Sequence, residues 1–179
     1  MESIREILNL DTFVVVKKAK RGTIIQRAGV NTSLGYYVRK GLLRSYTIDE
    51  KGKEHIFMFA SEGWLIVDIE SQEFHHSTEL YIDCLEDSEV VIFDRKDINA
   101  SNLTKIQLER INDLLSRRIA ALQRRVILLL SATAKERYIA FLETYPDLPN
   151  RVPQRMIASY LGITPQALST IRGKMAGKN

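Results

Sequence analysis

The sequence predicts an α+β protein: an antiparallel β-sandwich or barrel first, a long helix next, and two short helices around a tight turn last. Three observations carry that prediction. Glycines recur through the first hundred residues at about the spacing of one strand plus a turn. Leucine, isoleucine and valine then recur every three or four residues from about 104 to 131. Finally, residues 153 to 175, PQRMIASYLGITPQALSTIRGKM, show helical periodicity on both sides of Gly162. A chain of 179 residues, 45% hydrophobic and 27% charged, can bury a core in one or two domains.

The strand half comes first. Apolar or β-branched runs occupy Thr23–Ile25, Tyr36–Val38, Leu42–Thr47, His55–Phe59, Leu80–Cys84 and Val90–Phe93, with Gly22, Gly29, Gly35, Gly41, Gly52 and Gly63 between them. Asp49-Glu50-Lys51-Gly52 suits a hairpin loop, Gly52 taking the left-handed position. Short strands with regular punctuation indicate antiparallel pairing. No helix of useful length is expected here, which argues against a doubly wound parallel sheet.

The helical stretch from Thr104 to Ser131 follows. Leu108, Ile111, Leu115, Ile119, Leu122, Val126 and Leu129 form a seam of the coiled-coil kind, with one extra residue near its middle. Arg110, Arg117, Arg118, Arg124 and Arg125 lie off it. About 28 residues at ~1.5 Å each span roughly 40 Å, more than so small a domain needs. The seam therefore predicts a parallel homodimer, with packing on its own β-domain as the plainer alternative. Ser131-Ala132-Thr133 interrupts the pattern. Ala134–Thr144 reads as a further helix burying Tyr138, Phe141 and Leu142, and residues 145–150 as a proline-restricted loop.

The last two helices carry the functional signal. The first runs from Pro153 to Leu161 and ends at Gly162, which supplies a positive φ. Thr164 is a good N-cap and Pro165 a good first residue for the second. That helix is expected to hide Leu168, Ile171 and Met175. Gln166, Ser169, Thr170 and Gly173 then face outward, flanked by Arg172 and Lys174. Polar groups outward with cations at the flanks are what a helix-turn-helix offers the major groove. An ordinary helical hairpin has the same outline, but the charge distribution favours DNA. Residues 1–103 hold 13 Lys or Arg against 17 Asp or Glu, net −4; residues 104–179 hold 13 against 5, net +8. Gln166 can pair with adenine, and Ser169 and Thr170 can bond base edges. Arg155, Thr164, Arg172 and Lys174 are candidates for phosphates.

Several classes are set aside. One cysteine, Cys84, expected in a buried strand, excludes an intramolecular disulfide and a cysteine-held metal cluster within one chain. No metal site is expected. There is no run of 18 apolar residues, and Met1 to Arg5 does not open a signal peptide, so a cytoplasmic protein is expected. No Ser/His/Asp set, fixed carboxylate pair or phosphate-cradling glycine loop is present, which argues against an enzyme.

The order of these parts resembles the catabolite-activator/FNR (CRP/FNR) family of bacterial transcription regulators, in particular the branch common in Bacteroidetes. The resemblance is carried by Lys20-Arg21-Gly22-Thr23-Ile24-Ile25 with Ala28-Gly29, by Tyr36-Tyr37-Val38-Arg39-Lys40-Gly41, and by the Asp49 to Glu54 hairpin. Leu85-Glu86-Asp87-Ser88-Glu89-Val90, Ala134-Lys135-Glu136-Arg137 and Ile157-Ala158 through Ser169 complete it. It implies a jelly-roll-like β-roll of the cyclic-nucleotide-binding kind over 1–103, a dimerisation helix over 104–131 and a helix-turn-helix domain over 132–179. It also implies a homodimer on a pseudo-palindromic operator, RNA polymerase as a partner, and an effector in the roll. Here the chain departs from the pattern. Val67-Asp68 and Thr78-Glu79 fall where nucleotide-binding members hold ribose and cyclic phosphate. Asp68 could accept ribose hydroxyls, but Thr78 cannot neutralise a phosphate and Glu79 would repel one. Cyclic AMP is therefore not expected, and the effector is left open. His75 and His76 are expected to be surface residues. The family's iron–sulfur cysteines are absent. The activator's two cationic base-reading positions become Pro165 and Thr170, and its acidic one Gln166. The alternative function is a nucleotide or other small-molecule sensor whose basic C-terminal region contacts a protein.

Overall fold

The computed structural model describes residues 16–31, 34–94 and 103–177. The opening Met1 to Arg5, read above for a signal peptide, lies outside them. Among the described residues eight strands come first: β1 (Val16–Ala19), β2 (Ile24–Gln26), β3 (Gly35–Lys40), β4 (Leu43–Ile48), β5 (Glu54–Ala60), β6 (Leu65–Ile66), β7 (Tyr81–Cys84) and β8 (Ser88–Phe93). They form two antiparallel four-stranded sheets, ordered β1-β8-β3-β6 and β2-β7-β4-β5. Strands adjacent in sequence mostly fall in opposite sheets, so the chain rolls around one interior. Val38, Leu43, Ile66, Ile82, Cys84 and Val90 fill that interior. Cys84 is buried as expected, and burial pushes its thiol up.

All six predicted strands form. Two more were not foreseen. β1 carries lysines at two of four positions and pairs at a sheet edge, so its alternation is mostly solvent-facing. β6 is only two residues long and shows no period. A six-residue helix, α1 (Ile69–Phe74), also stands where none of useful length was expected; Asp68 caps it by accepting from the Ser71 N–H. The Asp49 hairpin forms, with Gly52 at φ +76°. His75 and His76 are exposed, His76 bonded to Glu70 at 2.7 Å.

The helices are α2 (Lys105–Ser131), α3 (Ala134–Thr144), α4 (Leu148–Arg151), α5 (Gln154–Leu161) and α6 (Pro165–Met175). Thr104 and Thr133 open α2 and α3 with capping boxes, each hydroxyl accepting from the residue three on while Gln107 or Glu136 returns to the cap N–H. The expected 145–150 loop instead contains the single turn α4. Pro149 sits in its first turn, where a missing N–H is harmless, so the proline permits the helix rather than forbidding it. Tyr138 and Phe141 are buried, whereas Leu142 is only partly so.

A second core lies between the β2-β7-β4-β5 sheet and these helices. Leu42, Tyr46, Ile56 and Phe59 from the roll meet Tyr138, Phe141, Tyr145, Leu148, Val152, Ile157, Leu161 and Leu168. Phe59 is fully buried, its ring 6.3 Å from Phe141, 6.1 Å from Tyr145 and 5.7 Å from Tyr160. The roll and the C-terminal helices therefore share packed aromatic surface. Among the described residues no helix is long and apolar enough to cross a membrane.

Candidate nucleic-acid interface and its supports

The turn between α5 and α6 is built from three local choices. Gly162 adopts φ +68° and ψ 34°, its N–H donating to Ser159 O at 3.1 Å while Ile163 N–H donates to Ala158 O at 3.0 Å. This paired closure satisfies the last carbonyls of α5, and a residue with a Cβ would be strained in that conformation. Thr164 then starts α6 from an extended backbone, its Oγ1 accepting from Ala167 N–H at 3.2 Å, with Pro165 in the first turn. Leu168 is fully buried beneath the turn, against the core that contains Ile157, Ala158 and Leu161. Arg137, on α3, donates to Leu161 O at 2.8 Å and so ties the α5 C-terminus to the preceding helix. Sequence reasoning missed that role, because a lone arginine on a helix gives no sign of its carbonyl partner.

The outward face of α6 holds Gln166, Ser169 and Thr170, all exposed. Thr170 donates its hydroxyl proton to Gln166 O at 3.1 Å, leaving its oxygen as an acceptor. Arg155, Thr164 and Lys174 are exposed and Arg172 is half-buried. The Thr164 hydroxyl accepts as a cap and still has a proton to donate, the combination a phosphate oxygen can use. Met175, expected to be hidden, is 44% exposed. It lies in the last turn of α6, beyond the reach of the core that covers Leu168, and Ile171 is only partly covered.

Helix α2 has no buried residue along its 27 positions. Of the seam, Leu108, Leu115, Ile119, Leu122, Val126 and Leu129 are exposed on the subunit and Ile111 is half-buried. Leu130, one helical turn past Val126, extends the strip and is 82% exposed. The side of α2 that meets its own subunit uses arginines instead. Arg118 donates to Leu65 O at 3.1 Å. Arg125 donates to Phe57 O, to Ile56 O at 3.2 Å and to Tyr160 O at 3.4 Å, and its guanidinium lies 4.1 Å from the Tyr160 ring centre. The Phe57 carbonyl is available because of a bulge. Between Ser45↔Met58 and Tyr46↔Ile56 the register skips Phe57, which leaves the ladder there.

In the roll, Asp68 and Thr78 are buried, Val67 is half-buried and Glu79 is exposed. The two buried groups satisfy each other. Thr78 Oγ1 donates to Asp68 Oδ2, and accepts from Gln26 Nε2 at 3.3 Å and Leu80 N–H at 3.1 Å, while Asp68 Oδ1 caps α1. Residues 64–88 contain seven Asp or Glu and no Lys or Arg. A cyclic phosphate needs a positive partner when it leaves water, and this segment carries no Lys or Arg to supply one. The residues present do not fit a cyclic nucleotide. Among the described residues no cluster suited to a metal ion occurs.

Comparison with known proteins agrees with this architecture. The cyclic nucleotide-binding domain model matches residues 16–101. The chain is 29% identical over 188 residues to an anaerobic regulatory protein of Haemophilus influenzae, covering 95% of this chain and 70% of that protein. Among solved structures, FixK2 from Bradyrhizobium japonicum superposes with a TM-score of 0.74 at 20% identity, over 92% of this chain and 86% of FixK2. A transcriptional regulator of the crp/fnr family from Eubacterium rectale reaches a TM-score of 0.66 at 16% identity, over 99% of this chain and 85% of that one. At such identities the structural likenesses establish a shared fold. The proteins are named as regulators, not as enzymes.

Proposed function

We propose that the chain is a transcription regulator of the CRP/FNR kind and binds duplex DNA as a homodimer at a pseudo-palindromic operator. One observation carries this reading: an exposed polar helix face with cationic flanks stands beyond a long helix whose apolar strip is left uncovered by its own subunit. Two such strips, zipped in parallel, bring two heads to one side of the assembly, and half-sites about one helical turn of DNA apart follow from that symmetry.

In this reading residues 1–103 are an effector-type roll, 104–131 the dimerisation helix and 132–179 the DNA-binding domain. Gln166 pairs with adenine, Ser169 and Thr170 meet neighbouring base edges, and Arg155, Thr164, Arg172 and Lys174 hold phosphates. The seam is Leu108, Ile111, Leu115, Ile119, Leu122, Val126 and Leu129, extended by Leu130. RNA polymerase is the downstream partner and the cytoplasm the location. The finer placement in the branch common in Bacteroidetes rests on the sequence resemblance. Asp68 and Thr78 hold the roll together rather than a cyclic nucleotide, and the effector, where one acts, is of another kind.

Selection from random duplexes followed by sequencing tests the proposal. A palindromic consensus is expected, with affinity falling as salt rises at a log–log slope of about −0.9 per phosphate contacted. Recovery of no consensus and a flat salt response would refute direct DNA binding and favour a protein partner for the basic region.

A further inference from the structure

Beyond the reading face, the structure shows how the helix-turn-helix is held. Its covalent link to α2 is short, and beside it Arg124 of α2 pairs with Glu143 of α3 at 3.3 Å. Between α2 and α3 lie only Ala132 and Thr133, both extended, at φ −89°, ψ 150° and φ −65°, ψ 159°. Two residues of that kind would let the head pivot about the end of the long helix. The head is instead fastened to the roll at three separated points. Arg151, the last residue of α4 and three positions before the start of α5, donates to both Glu86 oxygens at 2.9 and 2.7 Å and to both Glu62 oxygens at 3.1 and 3.3 Å. It also reaches Gly41 O at 3.3 Å, while Glu62 accepts from Gly41 N–H at 2.9 Å. Ser159, on α5, donates to Glu54 O at 2.7 Å and accepts from Ile56 N–H at 3.1 Å, joining the sheet as a strand residue would. Arg125 bonds Phe57 O and Tyr160 O together, so α2, β5 and α5 meet at one guanidinium. The shared aromatic core around Phe59 lies between these points.

Every one of these contacts is made away from the reading face. Gln166, Ser169, Thr170 and Lys174 stay exposed while the head is fastened. Fastening is therefore compatible with DNA binding, and it removes a cost. A dimer that must seat two heads in successive half-sites gains from the second head only when both can engage at once, and a head already held in one attitude loses less freedom on binding.

We propose that Glu62, Glu86, Arg151 and Ser159 are positioning residues for operator recognition: the roll acts as a rigid bracket that sets the attitude of each head, and so the spacing of the pair. None of them touches DNA in this arrangement. The inference rests on the DNA-binding reading above.

The test compares two duplexes, the selected two-half-site sequence and a version with one half-site scrambled, against the full chain carrying Glu62→Gln and Glu86→Gln. Affinity for the two-half-site duplex is expected to fall at least tenfold, while affinity for the single half-site stays within twofold of the parent. Ser159→Ala, which removes no charge and opens no cavity, is expected to show the same selective loss in smaller measure. It serves alone should the double variant fail to fold. Equal loss on both duplexes, or no loss on either, would overturn the bracket. Should the parent chain bind neither duplex, the DNA-binding reading itself has failed rather than this inference.

Discussion

Replacing Ile119 by arginine tests the dimer seam at its centre. Ile119 is 65% exposed on the subunit, so about two thirds of its side chain is left for a partner to cover. Full burial of an isoleucine is worth roughly 1.5–3 kcal/mol, which makes the partner's share about 1–2 kcal/mol. In a parallel pair each seam residue meets its own counterpart, and the loss is counted twice, about 2–4 kcal/mol per dimer. At about 1.4 kcal/mol per factor of ten, the dissociation constant of the dimer rises roughly thirty-fold to several hundred-fold. Two facing guanidinium groups then add like-charge repulsion. Because Ile119 packs against little in its own subunit, the monomer should keep its far-UV circular dichroism. Sedimentation velocity across a concentration series reads the association directly. Arg117→Ala, exposed and off the seam, is the control and should sediment as the parent does. A dimer of Ile119→Arg with the parent's dissociation constant would refute the seam and move the interface elsewhere.

Three further outcomes are expected. Phe59→Ala should cost about 3–5 kcal/mol in urea unfolding, and Trp64, whose ring lies 5.4 Å from Tyr145 at the same junction, supplies the fluorescence signal; a loss below about 1 kcal/mol would mean that the junction is not packed as described. Gln166→Ala should lose about 1–3 kcal/mol at one base pair per half-site and relax preference there, measured by competition between single-base operator variants; uniform weakening at every position would remove Gln166 as a reader. The Arg151 fastening should depend on acid. Its hydrogen bonds hold Glu86 below the usual carboxylate range; burial pushes Glu62 up, but bonds from Arg151 and the backbone outweigh it and hold Glu62 low as well. Carboxylates depressed in the folded state contribute stability above their ordinary range, near pH 4.5, and lose it as pH falls through their folded values. Arg151, raised by the same partners, stays charged throughout. The stability gap between the parent and the Glu62→Gln, Glu86→Gln variant should therefore be full at pH 7 and shrink as pH falls below the ordinary carboxylate range, and a gap independent of pH would exclude an ionic fastening.

Local physics is written along the chain, and the elements that depend on it were legible there. Gly162, Thr164 and Pro165 specify a turn through backbone conformations that involve no distant residue, and the structure places all three as their chemistry requires. The seam on α2 was equally plain, since a helical period survives whether or not anything covers it. Legibility failed where the deciding partner was remote or the element too short to show a period. β6 and α4 span two and four residues, and Pro149 reads as a breaker until its position in a first turn is known. Met175 keeps the spacing of a buried residue, yet the core stops a turn before it.

Sequence alone determined the order of elements, the polar outer face of α6 and the lack of Lys or Arg across residues 64–88, because each of these is a matter of residue type at a local spacing. Only the tertiary structure decided how the parts are joined. Arg125, which looks like a solvated charge on one helix face, turns out to hold the Phe57 carbonyl, freed by a bulge 68 residues upstream, and Arg151 finds its carboxylates on two separate stretches of the roll. The reason is geometric: a guanidinium's partners are set by which backbone passes within about 3 Å of it, and no periodicity along the chain encodes that meeting.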